Sequence, residues 1–192
     1  MISAYTAKYS YDYYLRNAYS KNRDARKSEN RASIFNNTLI IADSDATKRI
    51  SEKLRKLEYD TDHSSEIYQT TKAFIETYNN LIQSSGASDE YSITTLKKQL
   101  SKMTKEEKDQ LASIGIEIKS NGQLKLDKKT FGECKPSKVA KVFSSDNTFI
   151  QSVRNYASRI YKISNRLVSS YDSNGNRTTK KSESGSTVDV SL

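Results

Sequence analysis

Apolar residues recur every three or four positions through most of this chain, and that spacing is typical of amphipathic helices. The clearest stripe runs from Ile67 to Ile82 and forms one broad helical face. It consists of Ile67, Thr71, Phe74, Ile75, Tyr78, Leu81 and Ile82. Only one short segment has the alternation of a β-strand. We therefore predict a mainly α fold with one β-hairpin, arranged as an elongated helical bundle.

The segment before this stripe is predicted to hold a helix from about 44 to 58. Ala46, Ile50 and Leu54 recur in it at helical spacing. The run Asp43-Ser44-Asp45 precedes them and offers side-chain oxygens that can cap a helix N-terminus. The apolar run 34–42 just upstream is too short to classify from its period.

After the stripe, Gly86 is expected to end the helix in a left-handed conformation. A third helix is predicted from about 89 to 102. The run Thr104-Lys105-Glu106-Glu107 reads as a capping box that restarts a short helix. Pro136 suits the first turn of a further helix, since proline lacks the amide hydrogen that this position leaves unpaired.

The segment 115–127 carries the strand alternation, "GIEIKSNGQLKLD". A three-residue loop ending at Gly122 pairs Ile118 with Leu124 and Ile116 with Leu126, which gives the hairpin one apolar face. A two-residue loop would mix the faces. Gly122 is expected to adopt a positive φ at the turn. The apolar face should lie against the helix that carries Phe74 and Tyr78.

The last periodic segment alternates in threes and fours over about three heptads. It consists of Ile150, Val153, Ala157, Ile160, Ser164, Leu167 and Tyr171. The pattern fits a coiled-coil-like seam for a partner helix. It fits equally well an amphipathic helix that packs on the core of its own domain.

Both ends of the chain are poor in core-forming residues. Hydrophobic residues make up 34% of the chain with 13 Tyr included, whereas an ordinary domain has about 45–50% apolar residues. We therefore divide the chain into a Tyr-rich basic N-terminal arm (1–33), a helical stem domain (34–171) and a disordered Ser/Thr-rich tail (172–192). No apolar run approaches the length of a membrane span, and no apolar stretch of a cleavable signal is seen near the N-terminus.

The net charge of +9 raises the prospect of an acidic partner. The first twenty residues hold six tyrosines, and basic residues run from Arg16 to Arg31. Aromatic rings among basic groups can stack on single-stranded nucleic acid. The same arm could order against a protein, or remain a free terminus. No block of five like charges occurs, so a solvated helical surface is the simplest interpretation.

The sequence offers little material for catalysis or metal binding. It has one His, His63, in a polar break, and one Cys, Cys134, before a helix start. A helix dipole and nearby lysines could lower the pKa of that thiol, but His63 is the only candidate histidine base. We predict no enzyme activity, no cofactor and no metal site.

Three stretches in order resemble a known family: 71–83 "TKAFIETYNNLIQ", 111–131 "LASIGIEIKSNGQLKLDKKTF" and 139–146 "VAKVFSSD". Together they resemble the C-terminal region of bacterial flagellar filament cap proteins, also called hook-associated protein 2. The matching residues are Phe74, Tyr78, Asn79, Leu81, Gly115, Ile116, Gly122, Leu124, Leu126, Asp127 and Phe143. The arm 1–33 and the tail after Tyr171 match nothing in the family pattern.

The resemblance implies a helical stem and an extracellular, flagellar location reached without a cleavable signal. It also implies flagellin, hook-junction proteins or other copies of the chain as partners. The expected structural or interface residues are Phe74, Tyr78, Asn79, Leu81, Gly115, Ile116, Ile118, Gly122, Leu124, Leu126, Phe143, Val153, Ile160 and Leu167. The competing hypotheses are a basic nucleic-acid-binding helical module, which is less favoured, and a helical adaptor unrelated to flagella.

Overall fold

The computed structural model describes residues 10–169, which hold nine α-helices and one antiparallel hairpin. A mainly α fold with a minor β element is therefore confirmed. The helices are α1 Tyr11–Ala18, α2 Ser28–Arg31, α3 Asn36–Arg55, α4 Ser64–Gly86, α5 Tyr91–Glu106, α6 Lys108–Ser113, α7 Lys128–Glu133, α8 Pro136–Phe143 and α9 Thr148–Ser169. The strands are β1 Ile116–Ile118 and β2 Leu124–Leu126, and a 3-10 turn spans Arg23–Arg26.

Three long helices, α3, α4 and α9, form the centre of the fold. α3 packs along both α4 and α9, and α5 lies against α9. The ammonium of Lys48 on α3 sits 5.0 Å from the ring centroid of Tyr161 on α9, a cation–π contact between these helices. The apolar face of α9 is thus covered by helices of the same chain, and its buried residues include Ile150, Val153 and Ile160.

That burial resolves the two interpretations of the last segment in favour of the domain's own core. Ala157 and Ser164 are also buried, and Leu167 is partly buried against the same cluster. Tyr171 and the predicted tail lie outside the described residues. The stripe from Ile67 to Ile82 is likewise buried. Neither this stripe nor the described part of the last segment is therefore available to a partner helix.

The hairpin has the predicted register. Ile116 pairs with Leu126, Ile118 with Leu124, and Glu117 with Lys125 on the outer face. Gly122 has a φ of +84° at the turn, as its position required. β2 contacts α4, the helix that carries Phe74 and Tyr78, as expected.

α3 begins eight residues before the predicted start, and the proposed N-cap run lies in its interior. Asp43, Ser44 and Asp45 are all buried. The hydroxyl of Ser44 donates to the Ile40 carbonyl at 2.6 Å, four residues back in the helix. This back-bonding lets a residue that usually caps a helix sit inside one, so the N-cap prediction was wrong.

The capping-box prediction at Thr104 was also wrong, because α5 continues through that residue to Glu106. The Thr104 hydroxyl donates to the Leu100 carbonyl at 2.9 Å instead of capping a new helix. Gly86 closes α4 without a positive φ. Pro136 begins α8 as predicted. α7 was not predicted, although the Asp127 carboxylate caps it by accepting from the amides of Lys129 and Thr130.

The part of the N-terminal arm that the structure describes is not a free extension. α1 packs on α4 and α3. Tyr14, Leu15, Ala18, Tyr19 and Ala25 are all buried. Tyrosine rings supply the buried area that the low aliphatic content of this segment does not provide. The predicted boundary at residue 33 therefore does not separate the described residues 10–33 from the core.

Candidate structural and interaction site

Phe74 lies at the centre of an aromatic cluster that joins three helices. Its ring centroid is 5.5 Å from that of Phe143 on α8 and 6.5 Å from that of Phe149 on α9. The ring centroid of Tyr78, one turn later on α4, lies 6.0 Å from that of Phe74, and the Tyr78 hydroxyl donates to Thr104 at 2.9 Å. Burial raises the pKa of the Tyr78 phenol, so it remains a donor. This cluster is a scaffold inside the chain.

Asn79 attaches the hairpin to α4. Its side-chain amide donates to the Leu124 carbonyl at 2.9 Å, and its carbonyl accepts from the Leu124 amide at 2.7 Å. The side chain thereby pairs with the outer edge of β2 as a neighbouring strand residue would. No sequence rule predicts this role, because the two residues are 45 positions apart.

Gly115 allows α7 to approach the end of α6. Its φ is +78°, and an added Cβ would lie 2.9 Å from the Phe131 nitrogen and 3.0 Å from the Thr130 Cβ. Both the backbone conformation and the contact exclude a larger residue. Gly86 differs, since its Cβ would meet only the flexible Lys97 side chain at 3.7 Å.

We expect Gly115→Ala to lower the free energy of unfolding by about 1–3 kcal/mol, because it adds strain and a backbone clash. Gly86→Ala is the matched control, and it should leave stability unchanged or raise it by up to about 1 kcal/mol. Urea unfolding followed by circular dichroism measures both. Equal effects of the two substitutions would contradict the assigned role of Gly115.

The predicted structural or interface residues fall into two groups. The structure buries Phe74, Tyr78, Leu81, Gly115, Ile116, Gly122, Leu124, Phe143, Val153 and Ile160. These build the core and cannot contact a partner. Asn79, Ile118, Leu126 and Leu167 are half-buried. The largest exposed apolar side chains of the described residues are different ones, Phe35, Tyr91 and Val168.

A buried ion pair joins α2 to α3, and it was not predicted from the sequence. Arg31 holds the Asp43 carboxylate through two bonds, Nη1 to Oδ1 at 2.9 Å and Nη2 to Oδ2 at 2.7 Å. The Tyr19 hydroxyl donates to the same carboxylate at 2.7 Å and accepts from Asn80 at 3.0 Å. Asp43 is fully buried. The only signal was that Asp43 lies between the apolar residues Ile40 and Ala46 at helical spacing.

His63 lies half-buried in the α3–α4 connection and contacts two acidic residues. Its Nδ1 is 2.7 Å from the Asp60 carboxylate, and its Nε2 is 3.5 Å from that of Glu58. Because each ring nitrogen already faces a different carboxylate, this is an ion-pair network. The hydrogen bond to Asp60 raises the pKa of His63, and the pKa of Asp60 is lowered by the same bond.

We expect this network to stabilise the fold only while His63 is charged and Asp60 ionised. The His63 contribution should be complete below the ordinary histidine pKa and lost as pH rises through the raised pKa. The Asp60 contribution should be lost as pH falls through its lowered pKa. NMR titration of the single histidine in the wild type and in Asp60→Asn measures the His63 shift. An unchanged His63 pKa in the variant would contradict the pairing.

Cys134 is not an activated thiol. Its sulfur is within 3.2 Å of the Thr130 carbonyl oxygen, and the residue is buried. Burial raises the pKa of the thiol, which disfavours the thiolate that a nucleophile requires. The position of Cys134 before a helix suggested a lowered thiol pKa, and that expectation was wrong.

The comparison with known protein families identifies the second half of the chain. The family described as flagellar hook-associated protein 2, C-terminus, matches residues 90–187. The chain belongs to this family. No curated protein and no solved structure matches the chain. Membership in the hook-associated protein 2 family indicates a flagellar, structural role, and no helix within residues 10–169 is long and apolar enough to cross a membrane.

The match differs from the expected resemblance at both ends. It begins after α4, so Phe74, Tyr78, Asn79 and Leu81 lie outside it. It continues through α9 to residue 187, which includes most of the segment 172–192 that had no assigned family counterpart. The hairpin and Phe143 lie inside it.

The part that matches the hook-associated protein 2 family is completed by helices outside the match. The apolar face of α9 is covered by α3, and Asn79 of α4 holds β2. Phe143 and Phe149 both pack on Phe74. The family segment and the upstream helices therefore share one core.

Proposed function

We propose that this chain is a non-enzymatic structural component of a flagellum that works as a stem-like helical module. Its partners would be flagellin, hook-junction proteins or other copies of itself. The observation that carries the proposal is the family match over residues 90–187. That match also argues against a helical adaptor unrelated to flagella.

The packing of the core supports a scaffold role. Phe74, Phe143 and Phe149 join α4, α8 and α9 in one cluster. An interior close-packed in this way resists deformation and transmits strain. Such rigidity suits a structural protein that bears load within an assembly. Partner contacts in this proposal come from surface side chains, because the amphipathic faces of α4 and α9 are buried within the chain.

The alternative of a nucleic-acid-binding module is weakened at two of the six tyrosines that it would need. Tyr14 is 4% exposed and Tyr19 is 2% exposed. Base stacking requires an accessible ring face, and neither residue offers one. The basic charge of the N-terminal segment remains, and Tyr11 and Tyr13 are half-buried.

The test is location and motility in the source cell. Sheared flagella from a strain that carries a tagged copy should contain the protein, and deletion should impair motility or filament assembly. Complementation with the wild-type gene is the control. Absence from purified flagella together with normal motility after deletion would overturn the proposal. Purified flagellin and hook-junction proteins then serve as direct binding partners for the full chain.

A further inference from the structure

A basic pocket lies at the corner where α1 ends and the 3-10 turn follows. It has a volume of about 320 Å³ and is lined by Arg16, Asn17, Tyr19, Ser20, Arg23 and Arg26. All of these residues precede the family match, which begins at residue 90. Neither the family nor the shared core accounts for three arginines around one cavity.

The pocket wall is anchored to the buried ion pair. Tyr19 donates its hydroxyl to Asp43 at 2.7 Å, and Arg31 donates to the Ala25 carbonyl at 2.7 Å while it holds the same aspartate. Both sides of the turn are therefore tied to one buried carboxylate. The arginine side chains project from a structured base, which lowers the entropy cost of binding.

The pocket carries a positive charge that its own acids do not neutralise. The carboxylate of Asp12 is shared by Arg16, at 3.0 Å, and by Arg26. Arg23 is exposed and has no carboxylate partner among the described residues. Asp24, the adjacent acid, does not line the cavity. Three guanidinium groups thus face one carboxylate.

Basic groups also outnumber acidic groups at the rim of the pocket. Arg49 of α3 donates to the Ser20 hydroxyl at 3.3 Å. Its acidic partner, Asp45, is shared with Lys48. A second pair of basic groups therefore competes for a single carboxylate beside the pocket.

We propose that this pocket binds an acidic segment of a partner protein through aspartate or glutamate side chains. Guanidinium groups present paired donors that match the two oxygens of a carboxylate. The choice of a protein over a nucleic acid follows from Tyr19, the one tyrosine that lines the pocket, because its ring is buried and cannot stack on a base. The inference rests on the proposed function only in that the partner is a protein.

The test measures binding of a labelled Glu-rich peptide to the full chain by fluorescence anisotropy. The same peptide with Gln in place of Glu is the uncharged control. We expect the Glu peptide to bind, the Gln peptide to fail, and affinity to fall several-fold as salt is raised about tenfold. Arg23→Gln should weaken binding about tenfold, because it removes a charge-assisted hydrogen bond. It should leave the melting temperature unchanged, since Arg23 makes no ion pair among the described residues.

Lys138→Gln is the matched control, because it removes one exposed positive charge from α8 and leaves the pocket intact. It should bind the Glu peptide as the wild type does. Equal weakening in both variants would show an effect of net charge alone and would overturn the pocket. Failure to bind the Glu peptide, or tighter binding of a single-stranded oligonucleotide of equal charge, would also overturn it. None of these outcomes alters the location and motility test of the proposed function.

Discussion

Replacing Phe74 with alanine is expected to lower the free energy of unfolding by about 3–5 kcal/mol. The side chain is fully buried and contacts the rings of Tyr78, Phe143 and Phe149. Its removal leaves a cavity where α4, α8 and α9 meet, and loses the edge-to-face contacts between the rings. Urea unfolding followed by circular dichroism and by tyrosine fluorescence measures the loss.

Phe35→Ala is the matched control for Phe74→Ala. Phe35 is the same residue type but is 87% exposed, so its truncation should change stability by no more than about 0.5 kcal/mol. A loss of less than about 1 kcal/mol for Phe74→Ala would contradict the aromatic cluster as the junction of the fold. A loss of similar size in both variants would do the same.

Replacing Asp43 with alanine is expected to cost about 3–5 kcal/mol, because it leaves a largely buried guanidinium without its anion. The Arg31 side chain is 14% exposed and that of Asp43 is 0% exposed. The substitution also removes the acceptor of the Tyr19 hydroxyl, whose pKa is raised by burial and by the charge of Asp43. Thermal and urea unfolding measure the change.

Two further variants test whether the stability loss of Asp43→Ala arises because the unpaired charge is buried. Glu117→Ala breaks an ion pair with Lys125 whose side chains are 70% and 62% exposed, and such exposed pairs contribute about 0–1 kcal/mol. The double variant Asp43→Leu with Arg31→Met removes both buried charges and should recover much of the loss seen for Asp43→Ala. A double variant less stable than the single one would contradict the assignment of the cost to an unpaired Arg31.

The features predicted correctly from sequence depend on neighbouring residues. The hairpin register follows from alternation in 115–127, since only one loop length places all four apolar residues on one face. Gly122 and Pro136 were predictable because each meets a local backbone requirement. None of these features needs a distant partner to be inferred.

The errors share a different cause, which is that distant contacts override local preference. An Asp-Ser-Asp run is a strong N-cap signal, but Arg31 and Tyr19 hold Asp43 inside α3. Lys48 and Arg49 pair with Asp45 in the same helix. Thr104 continues α5, where its hydroxyl accepts from Tyr78, 26 residues earlier. In α9 the spacing of apolar residues is the same whether the helix that covers them belongs to the same chain or to a partner. Only the packing on α3 decides between them.

The site residues show the same division. Phe74, Tyr78 and Asn79, which the resemblance named, lie outside the matched residues 90–187, and all three join α4 to later elements. The basic pocket and the buried ion pair were not predicted. Both depend on the N-terminal segment folding back onto α3 and α4, which a polar, Tyr-rich composition does not indicate.

The segment that matches the flagellar family and the helices that precede it should unfold as one cooperative unit. Urea unfolding of an isolated 90–187 fragment, compared with the full chain under the same conditions, tests this most directly. We expect a single cooperative transition for the full chain and none for the fragment, because α9 loses α3 and the hairpin loses Asn79. A cooperative transition of the fragment at the same midpoint as the full chain would contradict it.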